Sequence, residues 1–157
     1  MKPNTGIADD HRQSVANLLN ILLADEFVLY VKTRNAHWNV TGSGFSELHL
    51  FFQSQYEQLD EVIDEVAERV RMIGHFAAAS LGDYTGLTNL TEDKADFSKQ
   101  ETLIRGLLDD HETIIRLLRA DIARTAEEYR DLGTSDFLTG LIERHEKMAW
   151  MLRAYLS

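Results

Sequence analysis

The sequence contains no cysteine and only one proline, Pro3, among its 157 residues. Without cysteine the chain can form neither a disulfide framework nor a thiolate site. Because proline is the residue that most strongly interrupts helices, nothing after Pro3 prevents long helices from forming. The sequence has no run of about 18 apolar residues and no apolar signal segment, so we expect neither a membrane span nor secretion. These absences together favour a cytoplasmic protein.

Basic residues are also scarce. Only 16 lysines and arginines stand against 26 acidic residues, which gives a formal net charge of −10. Such a surface repels nucleic acid and anionic membranes and attracts cations. Near the N-terminus Lys2 and Arg12 are offset by Asp9 and Asp10, and the C-terminal "WMLRAYLS" has no basic extension. Because a basic tail is what would neutralise phosphates and release their counterions, we expect DNA binding to be weak or absent.

Apolar residues recur at helical spacing in four long segments, so we predict an all-α protein. The predicted helices run from Asp10 to Asn35, from Phe45 to Ile73, from the capping box of Ser98 and Glu101 onward, and from "GTSD" at 133–136 onward. Ser43 is the predicted N-cap of the second helix, and Gly74 is predicted to end that helix.

The lengths of the connections predict how these helices pack. Two connections are short, which makes the helices that they join antiparallel neighbours. The segment from Gly74 to Phe97 is long enough to run back along the bundle and to contain a short helix. Four long helices with one long crossover between the second and the third form the ferritin-like four-helix bundle. We therefore predict a single ferritin-like domain over residues 1–157, in which residues 1–9 form a flexible tail.

Two of the six histidines remain as candidate metal ligands once the others are explained. His37 stands beside Trp38 at a helix end, and His49 lies one turn into the second helix. The other four are interpreted as core or interface, solvated, or loop residues. They are His111 and His145 on apolar helix stripes, His11 near the N-terminus, and His75 in the loop after Gly74.

The second helix carries many acidic residues, most of which we interpret as a solvated face. At about 100° per residue, however, Gln53, Asp64 and Glu68 fall on one stripe with His49, away from the apolar face. No histidine has a glutamate three positions before it, so the Glu-x-x-His pairs of a di-iron site inside the bundle are absent. A metal site would therefore have to form outside the bundle core.

The spacing of the candidate ligands predicts a site between two subunits. His49 and Asp64 are fifteen residues apart in the sequence. Along a helix this is about 22 Å, so the two side chains cannot bind one metal ion within a chain. Two copies of the second helix, antiparallel about a two-fold axis near Glu57, would bring His49 of one copy beside Asp64 and Glu68 of the other. Such a mixture of histidine and carboxylates suits iron(II) or zinc better than magnesium or calcium.

Three segments carry more specific patterns: "NAHWNVTGSGFSELH", "LDEVIDEVAERVRMIG" and "LIERHEKMAWMLRAYL". They resemble motifs of the Dps family, the mini-ferritins named as DNA-binding proteins from starved cells, and the resemblance extends over essentially the whole chain. It implies a hollow dodecamer that oxidises iron(II), preferably with hydrogen peroxide, and stores ferric mineral as protection against oxidative stress.

The resemblance also implies where the site residues lie. Each ferroxidase centre would take His37 and His49 from one subunit and Asp64 and Glu68 from its partner. Trp38 matches the family's tryptophan beside the site, either as an oxidisable neighbour or as a packing residue at the helix junction.

The chain departs from the family pattern at one position. The family commonly has an aspartate one turn after the second histidine, where this sequence has Gln53. An amide is a neutral and weaker ligand than a carboxylate, so we expect the second iron of each centre to bind weakly. A compensating ligand from elsewhere in the chain is the alternative.

The resemblance further implies an acidic three-fold pore for iron uptake near the start of the last helix. Glu127, Asp131 and Asp136 occupy similar positions, although such residues also serve as ordinary charges at helix N-termini. Two other functions stay open at this point. One is DNA binding and compaction with weak ferroxidase activity, and the other is a helical bundle without metal chemistry.

Overall fold

The computed structural model describes residues 3–92 and 99–157, and within these ranges it contains five helices and no strand. The helices are α1 (Asp9–Asn39), α2 (Phe45–Met72), α3 (Leu81–Leu87), α4 (Gln100–Glu127) and α5 (Leu132–Ala154). The four predicted long helices and the predicted short helix in the crossover are confirmed. Ser98, which was predicted to open the third long helix, lies outside the described residues.

The four long helices form one bundle around an apolar core. Helix α1 packs mainly against α2, and α4 packs mainly against α5, while α3 lies against α1. The largest fully buried side chains come from all four long helices. They include Leu19 and Leu29 of α1, Phe52 and Leu59 of α2, Ile114 and Leu118 of α4, and Leu138 and Leu152 of α5. The connection between α2 and α4 is the long crossover, which is the topology of the ferritin-like bundle.

Glycines set both ends of α2. The helix begins after Gly44, whose φ of 75° lies in the left-handed region, and no side chain caps it. The prediction that Ser43 is the N-cap is therefore wrong, because a backbone turn and not a side-chain hydrogen bond starts this helix. Gly74 ends α2 as predicted: its φ is 94°, and the amide of His75 donates to the carbonyl of Val70 across the turn.

Helix α1 is longer than the sequence predicted. It continues to Asn39 instead of ending at Asn35, so His37 and Trp38 belong to its last turn. The helix is also apolar enough to meet the length and hydropathy of a membrane span, with a mean hydropathy of 1.5 over its best window. Of that window, 61% is buried inside the bundle, and a core helix of a soluble protein gives the same signal.

Residues 3–8 lie against the start of α1. The guanidinium of Arg12 donates to the carbonyl oxygens of Pro3 and Ile7, and Pro3 lies close to Gly74 at the end of α2. That residues 1–9 form a flexible tail stays a prediction, as does the extent of the domain over the whole chain.

A polar network crosses the middle of the core. The Nδ1 atoms of His111 and His145 are 3.0 Å apart, and Nε2 of His145 is 2.8 Å from a carboxylate oxygen of Glu26. All three side chains are fully buried, which confirms the prediction that both histidines belong to the core. Only one hydrogen fits between the two Nδ1 atoms, so the rings cannot both be protonated while this contact stands. Burial, and then the neighbouring His145, lower the pKa of His111 well below its usual value, so the ring of His111 is neutral near pH 7.

Candidate metal centre

The two candidate histidines meet where α1 ends and α2 begins. Their rings stack with centroids 3.7 Å apart and 24° between the planes. Nδ1 of His37 lies 2.8 Å from the carbonyl oxygen of His49, and Nδ1 of His49 lies 2.9 Å from the carbonyl oxygen of His37. Each histidine therefore makes a hydrogen bond to the backbone of the other.

These reciprocal hydrogen bonds determine which ring nitrogens can bind a metal ion. A carbonyl oxygen can only accept, so Nδ1 of both rings must carry the hydrogen. In the neutral imidazole the lone pair is then on Nε2, and the hydrogen bond at Nδ1 fixes the orientation of the ring. His37 and His49 thus offer two Nε2 donors whose rings are oriented by hydrogen bonds within the chain.

Aromatic side chains hold the histidine pair on two sides. Phe45 lies 5.3 Å from the ring of His49, and Tyr56 meets the ring of His37 edge-on at 5.2 Å. His37 is only 7% exposed. Sequence reasoning missed both aromatic residues. The signal was present, because Phe45 and Tyr56 stand four residues before and seven residues after His49, which places all three on one helix face.

The candidate carboxylates lie far along the same helix. Asp64 and Glu68 are exposed and one turn apart on α2. Since α2 is unbroken, Asp64 is about 22 Å from His49 along the helix axis. Within residues 3–92 and 99–157 of a single chain, no three histidine, aspartate or glutamate side chains gather in a way that could hold a metal ion. That these four residues share one site stays a prediction, which requires a second subunit.

Gln53 lies one turn after His49 and is half-buried. Its Nε2 donates to a carboxylate oxygen of Glu57 at 2.8 Å. Because a carboxylate accepts hydrogen bonds and does not donate them, this contact shows which end of the Gln53 amide is the nitrogen and which is the oxygen. The atom left for a metal ion is Oε1, a neutral oxygen.

Trp38 follows His37 directly in the sequence, but its side chain lies mostly in solvent, whereas that of His37 is buried. It is 65% exposed, so packing within the chain accounts for little of its surface. The guanidinium of Arg34 lies 5.3 Å from its ring and also contacts the rings of Tyr30 and Tyr56. Whether Trp38 takes part in redox chemistry stays a prediction.

The three predicted pore residues differ in their surroundings. Glu127 and Asp136 are exposed, whereas Asp131 is 3% exposed. The carboxylate of Asp131 accepts hydrogen bonds from the amide and hydroxyl of Thr134 and pairs with Arg69. Asp131 therefore caps α5, which is the ordinary helix-terminus role considered for it from the sequence. The pore role stays a prediction, and Glu127 and Asp136 are the members whose exposure suits it.

Comparisons with known proteins agree with this architecture. The ferritin-like domain family matches residues 16–157. An uncharacterized low temperature-induced protein of Nostoc is 44% identical over 98% of this chain and 86% of its own length. DNA protection during starvation protein 2 of Bacillus anthracis is 34% identical over 92% of this chain and 98% of its own length. A crystal structure is known for the Dps protein of Vibrio cholerae, which is described as a member of the ferritin-like diiron-carboxylate superfamily. Its sequence is 34% identical to this chain, and its fold matches with a TM-score of 0.91. The match covers 99% of this chain and 97% of the Vibrio cholerae chain.

We expect Gln53→Asp to tighten the weaker of two iron(II) positions in each centre by roughly tenfold, about 1.4 kcal/mol, because a carboxylate offsets cation charge that the amide leaves uncompensated. Asp64→Ala and Glu68→Ala should instead abolish iron binding, since each removes an anionic ligand. The measurement is anaerobic calorimetric titration with iron(II).

Gln58→Asp is the matched control, because it adds the same carboxylate to α2 at about 140° from Gln53 around the helix. It should leave both iron positions unchanged. Two equal iron affinities in the wild type, together with no effect of Gln53→Asp, would mean that another residue replaces the missing carboxylate.

Proposed function

This chain belongs to the Dps proteins of the ferritin-like family, and on that premise we propose that it oxidises iron(II), preferably with hydrogen peroxide, and stores the ferric product. The observation that carries the proposal is the reciprocal hydrogen bonding of His37 and His49. A histidine pair whose Nδ1 atoms both donate to backbone carbonyls has its Nε2 atoms available as ligands.

The donor set fits iron(II). Imidazole nitrogens together with the carboxylates of Asp64 and Glu68 suit iron(II), and zinc could occupy the same positions without redox chemistry. The two carboxylates supply the negative charge, and the histidines supply oriented neutral donors. Bound iron(II) contributes one electron per ion, so two ions reduce one hydrogen peroxide to two water molecules when two protons are taken up.

The site is proposed to form between two-fold-related subunits of a homododecamer. Within one chain the length of α2 keeps the histidines and carboxylates apart, so a second α2 must run antiparallel to the first. Leu50 lies beside the ligand stripe and is 63% exposed, so a second α2 in this position would cover its apolar surface. The assembly of such dimers into a closed cage rests on the family relationship.

The charge of the chain suits the uptake of cations. With a net charge of −10, the surface raises the local concentration of iron(II) and favours its diffusion toward acidic openings. Glu127 and Asp136 are the exposed carboxylates that we assign to the uptake pore. The relatives compared above are bacterial proteins, and we propose a cytoplasmic role in protection against oxidative stress.

Binding and compaction of DNA is the second candidate function, and the name of the Bacillus anthracis relative favours it. The charge of the present chain argues against direct contact, because a net charge of −10 repels the phosphates that such binding depends on. Protection of DNA does not require such contact. Consuming iron(II) together with peroxide removes the two reagents that generate hydroxyl radicals near DNA.

The proposed function predicts that peroxide-driven oxidation of iron(II) belongs to an assembled species of roughly twelve times the 17.9 kDa chain mass. Size-exclusion fractions analysed by light scattering and assayed for iron(III) would test this. We expect two iron(II) consumed per peroxide when iron is in excess, and slower oxidation with dioxygen. Full activity in a stable monomer would contradict the intersubunit site, and no oxidation in any fraction would contradict the function.

For DNA, we expect no retardation of plasmid in a gel-shift titration at about 150 mM salt near neutral pH, because phosphate contacts dominate such binding and the chain repels them. The same protein carrying an added lysine-rich N-terminal extension is the positive control. A complex formed by the unextended protein that persists at this salt concentration would contradict the counterion argument.

A further inference from the structure

A continuous series of aromatic rings leads away from the histidine pair. Tyr56 contacts His37 at 5.2 Å, Tyr30 meets Tyr56 edge-on at 6.1 Å, Phe27 lies 6.1 Å from Tyr30, and Tyr84 stacks on Phe27 at 4.3 Å. We name Tyr56, Tyr30, Phe27 and Tyr84 the aromatic series. Its members come from α2, α1 and α3, so it joins the candidate metal centre to the crossover helix.

Three members of the aromatic series are tyrosines, which can give up one electron and one proton to become neutral radicals. Phe27 cannot be oxidised under the same conditions, but its ring fills the space between Tyr30 and Tyr84. Rings in near contact exchange electrons readily, because little of the path crosses empty space. Tyr84 is half-buried, and burial, followed by the neighbouring Asp83, raises its pKa, so its phenol is protonated at rest.

Arg34 favours the tyrosines over Trp38 as the residues that are oxidised. Its guanidinium lies over Tyr56 at 4.3 Å, and it is 5.4 Å from Tyr30 and 5.3 Å from Trp38. A fixed positive charge opposes the growth of positive charge on a neighbouring ring, which disfavours a tryptophan cation radical. A tyrosine that loses its phenolic proton together with the electron becomes a neutral radical, so its ring gains no charge for Arg34 to oppose.

When only one of the two iron positions in a centre is filled, the proposed function leaves one electron to be accounted for. Hydrogen peroxide accepts two electrons, whereas one iron(II) supplies one, and Gln53 weakens the position from which a second iron would supply the other. A centre that holds a single iron would then release a hydroxyl radical unless the protein provides the missing electron.

We propose that Tyr56 supplies this second electron and that the resulting oxidation passes along the aromatic series through Tyr30 to Tyr84. The proposal rests on the proposed ferroxidase function. One hydrogen peroxide, one iron(II), one tyrosine phenol and one solvent proton give two water molecules, one iron(III) and one neutral tyrosyl radical. The O–O bond breaks, the phenolic and solvent protons go to its oxygens, and iron and tyrosine each lose one electron. Tyr30 then restores Tyr56 by giving up an electron and a proton, and Tyr84 restores Tyr30.

The test is freeze-quench electron paramagnetic resonance on the full-length protein. Anaerobic protein loaded with one iron(II) per centre is mixed with one equivalent of hydrogen peroxide, and iron(III) and radical are quantified in the same samples. The wild type should show a neutral tyrosyl radical. Tyr56→Phe, which keeps the ring contacts with His37 and Tyr30, should lose that signal and release hydroxyl radicals to a spin trap.

Two further variants show whether the radical moves and why it forms. In Tyr84→Phe the radical should persist on Tyr30 or Tyr56. If this protein is labelled with deuterated tyrosine, the hyperfine pattern of the signal should change, which identifies it as a tyrosyl radical. When two iron(II) ions per centre are supplied, Gln53→Asp should suppress the tyrosyl signal, because the second iron provides the electron. Tyr129→Phe, which removes a tyrosine whose ring contacts His11, and Trp38→Phe are controls that should leave the signal unchanged.

The outcomes separate this proposal from the proposed function. Iron(III) formation without any tyrosyl radical, or a signal that survives unchanged in Tyr56→Phe, would overturn the role of the aromatic series while the ferroxidase function stands. Absence of iron(III) in the wild type would overturn the ferroxidase function itself. Loss of the signal in Trp38→Phe would identify tryptophan as the electron donor and overturn the assignment to Tyr56.

Discussion

The unbroken length of α2 is the constraint on which the rest of the account depends. From Phe45 to Met72 no residue interrupts the helix, so His49 and Asp64 are fixed about 22 Å apart along its axis. No rotamer of either side chain closes that distance. If the four predicted ligands act together, they can do so only across a two-fold axis, and the metal chemistry of the chain then depends on its assembly.

At the histidine end of the proposed site, two hydrogen bonds orient the imidazole rings. The backbone carbonyls of His37 and His49 orient the opposite rings, and the stacked pair rests between Phe45 and Tyr56. The hydrogen bonds within the chain therefore orient both Nε2 donors. The neutral amide of Gln53 is predicted to make the second metal position of the shared site weaker than the first. The side chain of Tyr56, which carries an oxidisable phenol, contacts the ring of His37. His37 is one of the two histidines proposed to bind the more tightly held iron.

Much of this could be predicted from the sequence, and the failures have physical causes. Apolar periodicity and the long segment after Gly74 predicted the bundle, because both depend on local pattern and chain length. Ser43 was assigned as a cap from its residue type, but the chain starts α2 with Gly44 in a left-handed conformation. Glu26 and Tyr56 were missed because their partners, His145 and His37, are distant in sequence and meet only after packing. Asp131 shows the same limit, since its pairing with Arg69 cannot be deduced from its position at a helix start.

Complementation between inactive variants tests the intersubunit site most directly. One variant carries His37→Ala and His49→Ala, the other carries Asp64→Ala and Glu68→Ala, and equal amounts are unfolded and reassembled together. In a mixed dimer one of the two sites recovers all four ligands, so random mixing should restore about a quarter of the wild-type peroxide-driven oxidation, although each variant alone is inactive. Mixing the histidine variant with a chain that lacks all four ligands is the control and should stay inactive. No recovery in the complementary mixture, with mixed assemblies verified by mass, would contradict the shared site.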